Sequence, residues 1–183
     1  TATRTATPDP NANVALVLND LPSGFVLLGG TDLATLHLTA DDIHQAFGNA
    51  YSVAQLHNET AIFYKKGSTF QVVVGFLFYP LSDVELNGLT NALHDPQALA
   101  DSLPGAVTKT TGPHVSARVL KGLDGLGNVR VGISALVPQP SGPALRADLI
   151  IVRRGRVAEF VWSYYFENTR PAVEAIALAK ILD

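Results

Sequence analysis

Residues Arg146–Phe166, RADLIIVRRGRVAEFVWSYYF, decide the fold. β-Branched and aromatic residues fill both arms, and a glycine sits at the polar break Arg154-Gly155-Arg156, so the stretch reads as two β-strands folded back on each other. Two registers fit. A turn at Arg154-Gly155 sets residue 153 against 156, whereas a turn at Gly155-Arg156 sets 154 against 157. A two-residue slip preserves side-chain alternation. Both registers therefore place Ala147, Leu149 and Ile151 on one face with Ala158, Phe160, Trp162 and Tyr164. Only a bulged turn would break that agreement.

Upstream of the hairpin, Val129, Val131 and Ile133 alternate with Arg130 and Gly132, which predicts a strand after the turn GLDGLGN at 122–128. Val115 to Leu120 reads as another strand. Phe70, Val72, Val74, Phe76 and Phe78 share one strand face, and the opposite face, Gln71, Val73, Gly75, Leu77 and Tyr79, is nearly as apolar. Such a strand is covered on both sides and is central to its sheet. Tyr51 to Lys65 and Gly24 to Leu28 supply further strand material, and Val14 to Leu18 is a short apolar stretch. Thr39 with Asp42, and Ser82 with Glu85, have the spacing of capping boxes at helix starts. Asp95-Pro96 starts another helix, expected to run to about Ser102. A last helix, AVEAIALAKIL, is expected to begin near Pro171. The order lacks regular strand–helix alternation. It predicts an α+β fold: one mostly antiparallel sheet of about six or seven strands with helices packed on its faces.

Composition bounds what the domain does. Of 183 residues, 47% are hydrophobic and only 16% charged, which favours one packed domain over residues 14–183. No apolar run approaches the roughly 18 residues of a membrane-spanning helix. A net charge of −3 argues against a nucleic-acid partner. The chain begins at Thr1 and contains no methionine, and residues 1–13, TATRTATPDPNAN, read as a flexible Thr/Ala/Pro tether. A spacer of this kind fits an exported, membrane-anchored protein, periplasmic or extracellular; a trimmed cytosolic terminus is the alternative.

Catalytic and metal patterns are weak. Gly132-Ile-Ser134 lacks the second glycine of a nucleophile elbow, and Ser134 reads as ordinary sheet surface. Lys66-Gly67-Ser68-Thr69 scrambles the end of a phosphate-binding loop and lies between strands. The five histidines are scattered; Asp41 with His44 is the best local pair and reads as an acidic first helical turn. Glu159 faces away from the aromatic side of the hairpin, where a buried carboxylate needs a partner such as Arg130 or Arg153. Asn58-Glu-Thr60 matches a glycosylation sequon by spacing alone. No catalytic residue, metal or cofactor is expected.

Two surfaces are candidates for binding. Lys65, Lys66, Arg153, Arg154 and Arg156 sit at hairpin tips; if the two hairpins are neighbours with matching direction, they form one basic patch for an anion, a lipid headgroup or an acidic partner. Charges that merely blunt exposed turns are the plainer reading. Phe76, Phe78, Trp162 and Tyr164 are candidates for the wall of an apolar pocket, against the plainer reading of sheet-to-helix core.

Several stretches together, LPSGF at 21–25, Gly-Leu-Gly-Asn at 125–128 leading into VRVGISAL, the hairpin, and the final Ala-rich helix, resemble exported bacterial lipoprotein-type domains. Their layout is similar to the PsbP/Mog1-like α/β/α sandwich, with Asn128 standing where that group has an aspartate. The resemblance implies binding or assembly at a membrane surface and transfers no active-site residue. The expectation is a non-catalytic, exported, membrane-tethered interaction module that contacts a protein or membrane through the basic turns and exposed tyrosines. The alternative is a carrier for an apolar small molecule, lipid or pigment, held between sheet and helices.

Overall fold

The structure, a computed structural model, describes residues 16–27, 60–65, 70–78, 81–107, 116–138 and 142–182. The tether at 1–13 and the helix expected from Thr39 lie outside them. A single 3-10 turn, Leu18–Asp20, precedes the strands β1 (Phe25–Leu27), β2 (Thr60–Lys65) and β3 (Gln71–Phe78). Helices α1 (Asp83–His94) and α2 (Pro96–Val107) follow, then β4 (Ser116–Val119), β5 (Val129–Val137), β6 (Leu145–Arg154), β7 (Val157–Phe166) and α3 (Ala175–Leu182).

The α+β class with one antiparallel sheet stands as expected. The strands lie in the order β1-β2-β3-β7-β6-β5-β4, and every neighbouring pair is antiparallel. Two meanders build this sheet. The chain runs β1 to β3, leaves through α1 and α2 to the far edge, and returns through β4 to β7, so that β7 closes beside β3. The organising hairpin uses the Gly155-Arg156 register: Arg154 faces Val157, Arg153 faces Ala158, and Leu149 faces Trp162. Gly155 has φ 58, in the left-handed region that two-residue hairpin turns require and that glycine adopts at little cost.

Strand alternation then separates two cores. On the first face Val72, Val74, Val131, Ile133, Leu149, Ile151, Phe160 and Trp162 pack with Leu89, Leu93 and Ala100 of α1 and α2. On the second, Val73, Ile150, Val152 and Val161 pack with Leu16, Leu21 and Phe25 and with Ala175, Leu178, Ala179 and Leu182 of α3. The sheet is thus buried from both sides, as the apolar character of both faces of β3 requires.

Two helix boundaries depart from expectation. Helix α2 continues past Ser102, through Pro104, to Val107. A proline there removes one backbone donor, and α2 packs against β4 and β5. Helix α3 starts at Ala175, four residues after Pro171. The cause is Gln71, buried at the start of β3. Its Oε1 accepts from the Val173 amide at 3.2 Å and its Nε2 donates to the Val173 carbonyl at 2.7 Å. Both backbone groups of Val173 are therefore committed to a side chain. The helix opens one residue later, where the Glu174 carbonyl accepts from Ala177 and Leu178.

Candidate functional site

The register decides the fate of the basic patch. Lys65 ends β2 opposite Gln71, at the start of β3, and Gln71 in turn faces Tyr165. The Gly155-Arg156 turn adjoins Ala158, which faces Phe78 at the other end of β3. Because β3 and β7 are antiparallel neighbours, their hairpins point in opposite directions. The tips are separated by the length of β3, roughly 24 Å at about 3.4 Å per residue. Lys66 lies outside the described residues. Lys65 and the arginine tip, Arg153, Arg154 and Arg156, therefore do not share one patch; over such a distance salt screens the two tips from each other.

The arginine tip is itself tied into the fold. The Arg156 guanidinium donates to the Leu81 carbonyl at 2.6 Å and to the Asp83 carboxylate, while the Leu81 amide donates to the Arg156 carbonyl at 2.8 Å. These bonds stitch the hairpin turn to the start of α1, whose cap, Ser82 with Glu85, closes in the capping box that the sequence predicts. Arg153 donates to the Gly155 carbonyl at 2.9 Å. From the other side, the Asn128 amide donates to the Arg153 carbonyl at 2.8 Å, and the Asn128 side-chain oxygen accepts from the Gly155 amide at 2.9 Å. The GLGN turn is a clamp on the hairpin tip.

The register sets the aromatic candidates Phe76, Phe78, Trp162 and Tyr164 at positions of one face, on the neighbouring strands β3 and β7. Trp162 is buried in the first core and stacks on Tyr164, with ring centroids 5.1 Å apart and an interplanar angle of 24°. Phe76 and Phe78 stand opposite Phe160 and Ala158 in the ladder. Trp162 belongs to the first core. Tyr164 is half-buried, and burial pushes its phenol well above the usual range. Tyr165 is buried on the second face. Its phenol is pushed up by burial first, then by its hydrogen bond to Asp148 and the charges of Asp148 and Glu174, against a smaller opposing effect of Arg146.

The second face holds a polar row that the sequence reading passed over. Ser134, Asp148 and Ser163 are directly opposite one another on β5, β6 and β7, and the next rung carries Arg146, Tyr165 and Gln71. Arg146 donates to the Ser134 hydroxyl at 3.1 Å and to Glu167 at 3.0 Å. Tyr165 donates its hydroxyl proton to Asp148 Oδ2 at 2.8 Å, and Gln71 donates to the Ser163 hydroxyl at 2.8 Å. Ser134 is not sheet surface: it is buried beneath this network. The available signal was a single polar residue of matching parity inside each apolar strand, Gln71 in FQVVV, Ser134 in GISAL, Asp148 in ADLII and Ser163 in VWSYY.

Glu159 is also buried on the second face, between Leu77 and Val152 in the ladder, whereas Arg153 shares the first face with Ala158. Arg130 is engaged with the Leu126 carbonyl at 3.2 Å and with Asp124 at 3.6 Å. Among the described residues no cluster of three His, Asp or Glu side chains could hold a metal. His94 is exposed at the end of α1, which packs on the first face, away from Ser134 and Asp148. No known protein family, curated protein or solved structure matches this chain.

Proposed function

We propose that the chain is a non-catalytic interaction module that docks a protein partner at the corner formed by the 3-10 turn and the edge strand β1. The observation that carries the reading is the exposure of Val17, Leu18, Val26 and Leu27 in one neighbourhood, with Val26 at 47% and Leu27 at 59%. The turn touches β1, and among the described residues β1 has a ladder partner on one side only. Edge strands of soluble domains are commonly blunted by charge, and the three residues of β1, Phe25-Val26-Leu27, carry none. Apolar side chains flanking such an edge suit an extended apolar peptide that adds a strand to the sheet. The arginine tip is a weaker candidate, because Arg153 and Arg156 already bond to Gly155, Leu81 and Asp83.

The test places a photo-crosslinking residue at position 27 and, as a control, at position 84. Val84 is an equally apolar but isolated residue, 82% exposed on α1. Expected are crosslinks to a defined protein partner from position 27 and none from position 84, lost on Leu27→Asp with the melting curve unchanged. Equal crosslinking at both positions, or crosslinking that survives Leu27→Asp beside it in a Val26 probe, overturns the reading.

A further inference from the structure

Asp148 lies at the centre of the polar row on the second face, between Ser134 and Ser163. It is 6% exposed, and its neighbours across the ladder, Ser134 and Ser163, are 1% and 0% exposed. Its Oδ2 accepts from Tyr165, but its Oδ1 is buried and meets no donor of the protein. A buried carboxylate oxygen left so is costly, on the order of 1–3 kcal/mol. The two flanking serines have the complementary need. Each oxygen already accepts, from Arg146 at 3.1 Å and from Gln71 at 2.8 Å, so each hydroxyl has its proton left to give. Among the described residues none accepts from either. Directly opposed residues on adjacent antiparallel strands hold their Cβ atoms about 4.5–5.5 Å apart, so both hydroxyls stand near Oδ1, yet neither donates to it.

We propose that Ser134, Asp148 and Ser163 form a binding site for one internal water molecule. The chemistry selects it. The occupant must accept from two hydroxyls and donate to a carboxylate oxygen, and a water does both with the two to four partners that buried waters have. A cation accepts nothing from the hydroxyls and would sit beside the Arg146 guanidinium. A halide has no proton for Oδ1. None of the three residues exceeds 6% exposure, so no open path leads a solute from the surface to Oδ1. The water joins β5, β6 and β7 at the middle of the sheet. It completes a network running from Glu167 through Arg146, Ser134, Asp148 and Ser163 to Gln71, and so to the backbone that opens α3.

The experiment is a crystal structure of the full chain at a resolution that shows ordered waters. It is paired with water–protein cross-relaxation NMR on the same protein, read at the Ser134 and Ser163 side chains. Expected is one peak within about 2.6–3.2 Å of Asp148 Oδ1 and of both serine oxygens, with a long-lived water contact in solution. A serine hydroxyl bonded directly to Oδ1 with no peak between them overturns the proposal. So does a peak with oxygen distances of about 2.3–2.6 Å, which would mark a cation. Ser163→Ala, read by the same NMR contact at Ser134, is expected to shorten the residence of the water; an unchanged contact also counts against the site.

Discussion

Replacing Gly127 by alanine tests whether the GLGN turn clamps the hairpin tip. Gly127 has φ 45, and a Cβ there would stand 2.6 Å from Val152 Cγ1 and 2.7 Å from the Arg153 carbonyl oxygen. The left-handed conformation alone costs alanine roughly 1–2 kcal/mol. The Val152 methyl has limited room to turn aside, being packed in the second core, and the Arg153 oxygen is backbone. The turn must therefore lift away from β6. Lifting weakens the Asn128 amide bond to Arg153 and the Gly155 bond to Asn128, each worth about 0.5–1.5 kcal/mol. The sum is about 2–5 kcal/mol. Gly125→Ala is the matched control, because Gly125 also has a positive φ, 89, yet nothing lies within 4 Å of its Cβ position. It pays the conformational term alone, about 1–2 kcal/mol. Urea unfolding followed by the fluorescence of the single tryptophan, Trp162, measures both. Midpoints are compared where the slopes agree. Equal losses for the two substitutions, to within about 0.5 kcal/mol, would refute a close approach at Gly127.

Two further outcomes follow from the cores. Trp162→Ala, monitored by circular dichroism because the fluorophore is gone, should cost about 3–5 kcal/mol; a loss well under about 1 kcal/mol would mean that Trp162 does not fill the first core. Alkaline pH should also destabilise the fold. The Tyr164 and Tyr165 phenols are raised in the folded chain, so above about pH 10 the unfolded chain releases these protons first and stability falls as pH rises. Tyr165→Phe should flatten part of that decline, and an identical decline in the variant would show that Tyr165 ionises as an ordinary phenol.

How far the sequence reads depends on whether a feature is set by neighbours along the chain or across it. The hairpin at Gly155, the cap at Ser82 and the start of α2 at Asp95 were all legible, because each is specified within a few residues. Asp95 Oδ1 accepts from the amides of Gln97 and Ala98, as a cap should. The start of α3 was not legible. Pro171 looks like a first helical position, but the residue that overrides it is Gln71, which bonds to Val173 across a separation of 102 positions. The basic patch failed for the same reason: nothing within either hairpin says which way it points relative to the other.

The polar row shows where the parity argument could have gone further. Alternation assigns each residue a face, and for β6 and β7 it assigned the first face correctly. Applied to the opposite face it places Asp148 and Ser163 under the same cover as Ile150 and Val161. What it lacks is the pairing of β5 with β6 and of β7 with β3, which turns four isolated polar residues into one row. A lone Ser134 on an apolar strand is uninformative. Ser134 set beside Asp148, and Asp148 beside Ser163, is a demand for hydrogen bonds that cannot be left unmet in a buried layer. Arg146, Tyr165 and Gln71 meet most of that demand, and what is left converges on Asp148 Oδ1. The row therefore belongs to the architecture, fixing three strands and the lead into α3. At the β1 corner Leu16, Leu21 and Phe25 are spent on the second core, whereas Val17, Leu18, Val26 and Leu27 belong to neither core, which is the physical reason for looking there, and not in the polar row, for the partner.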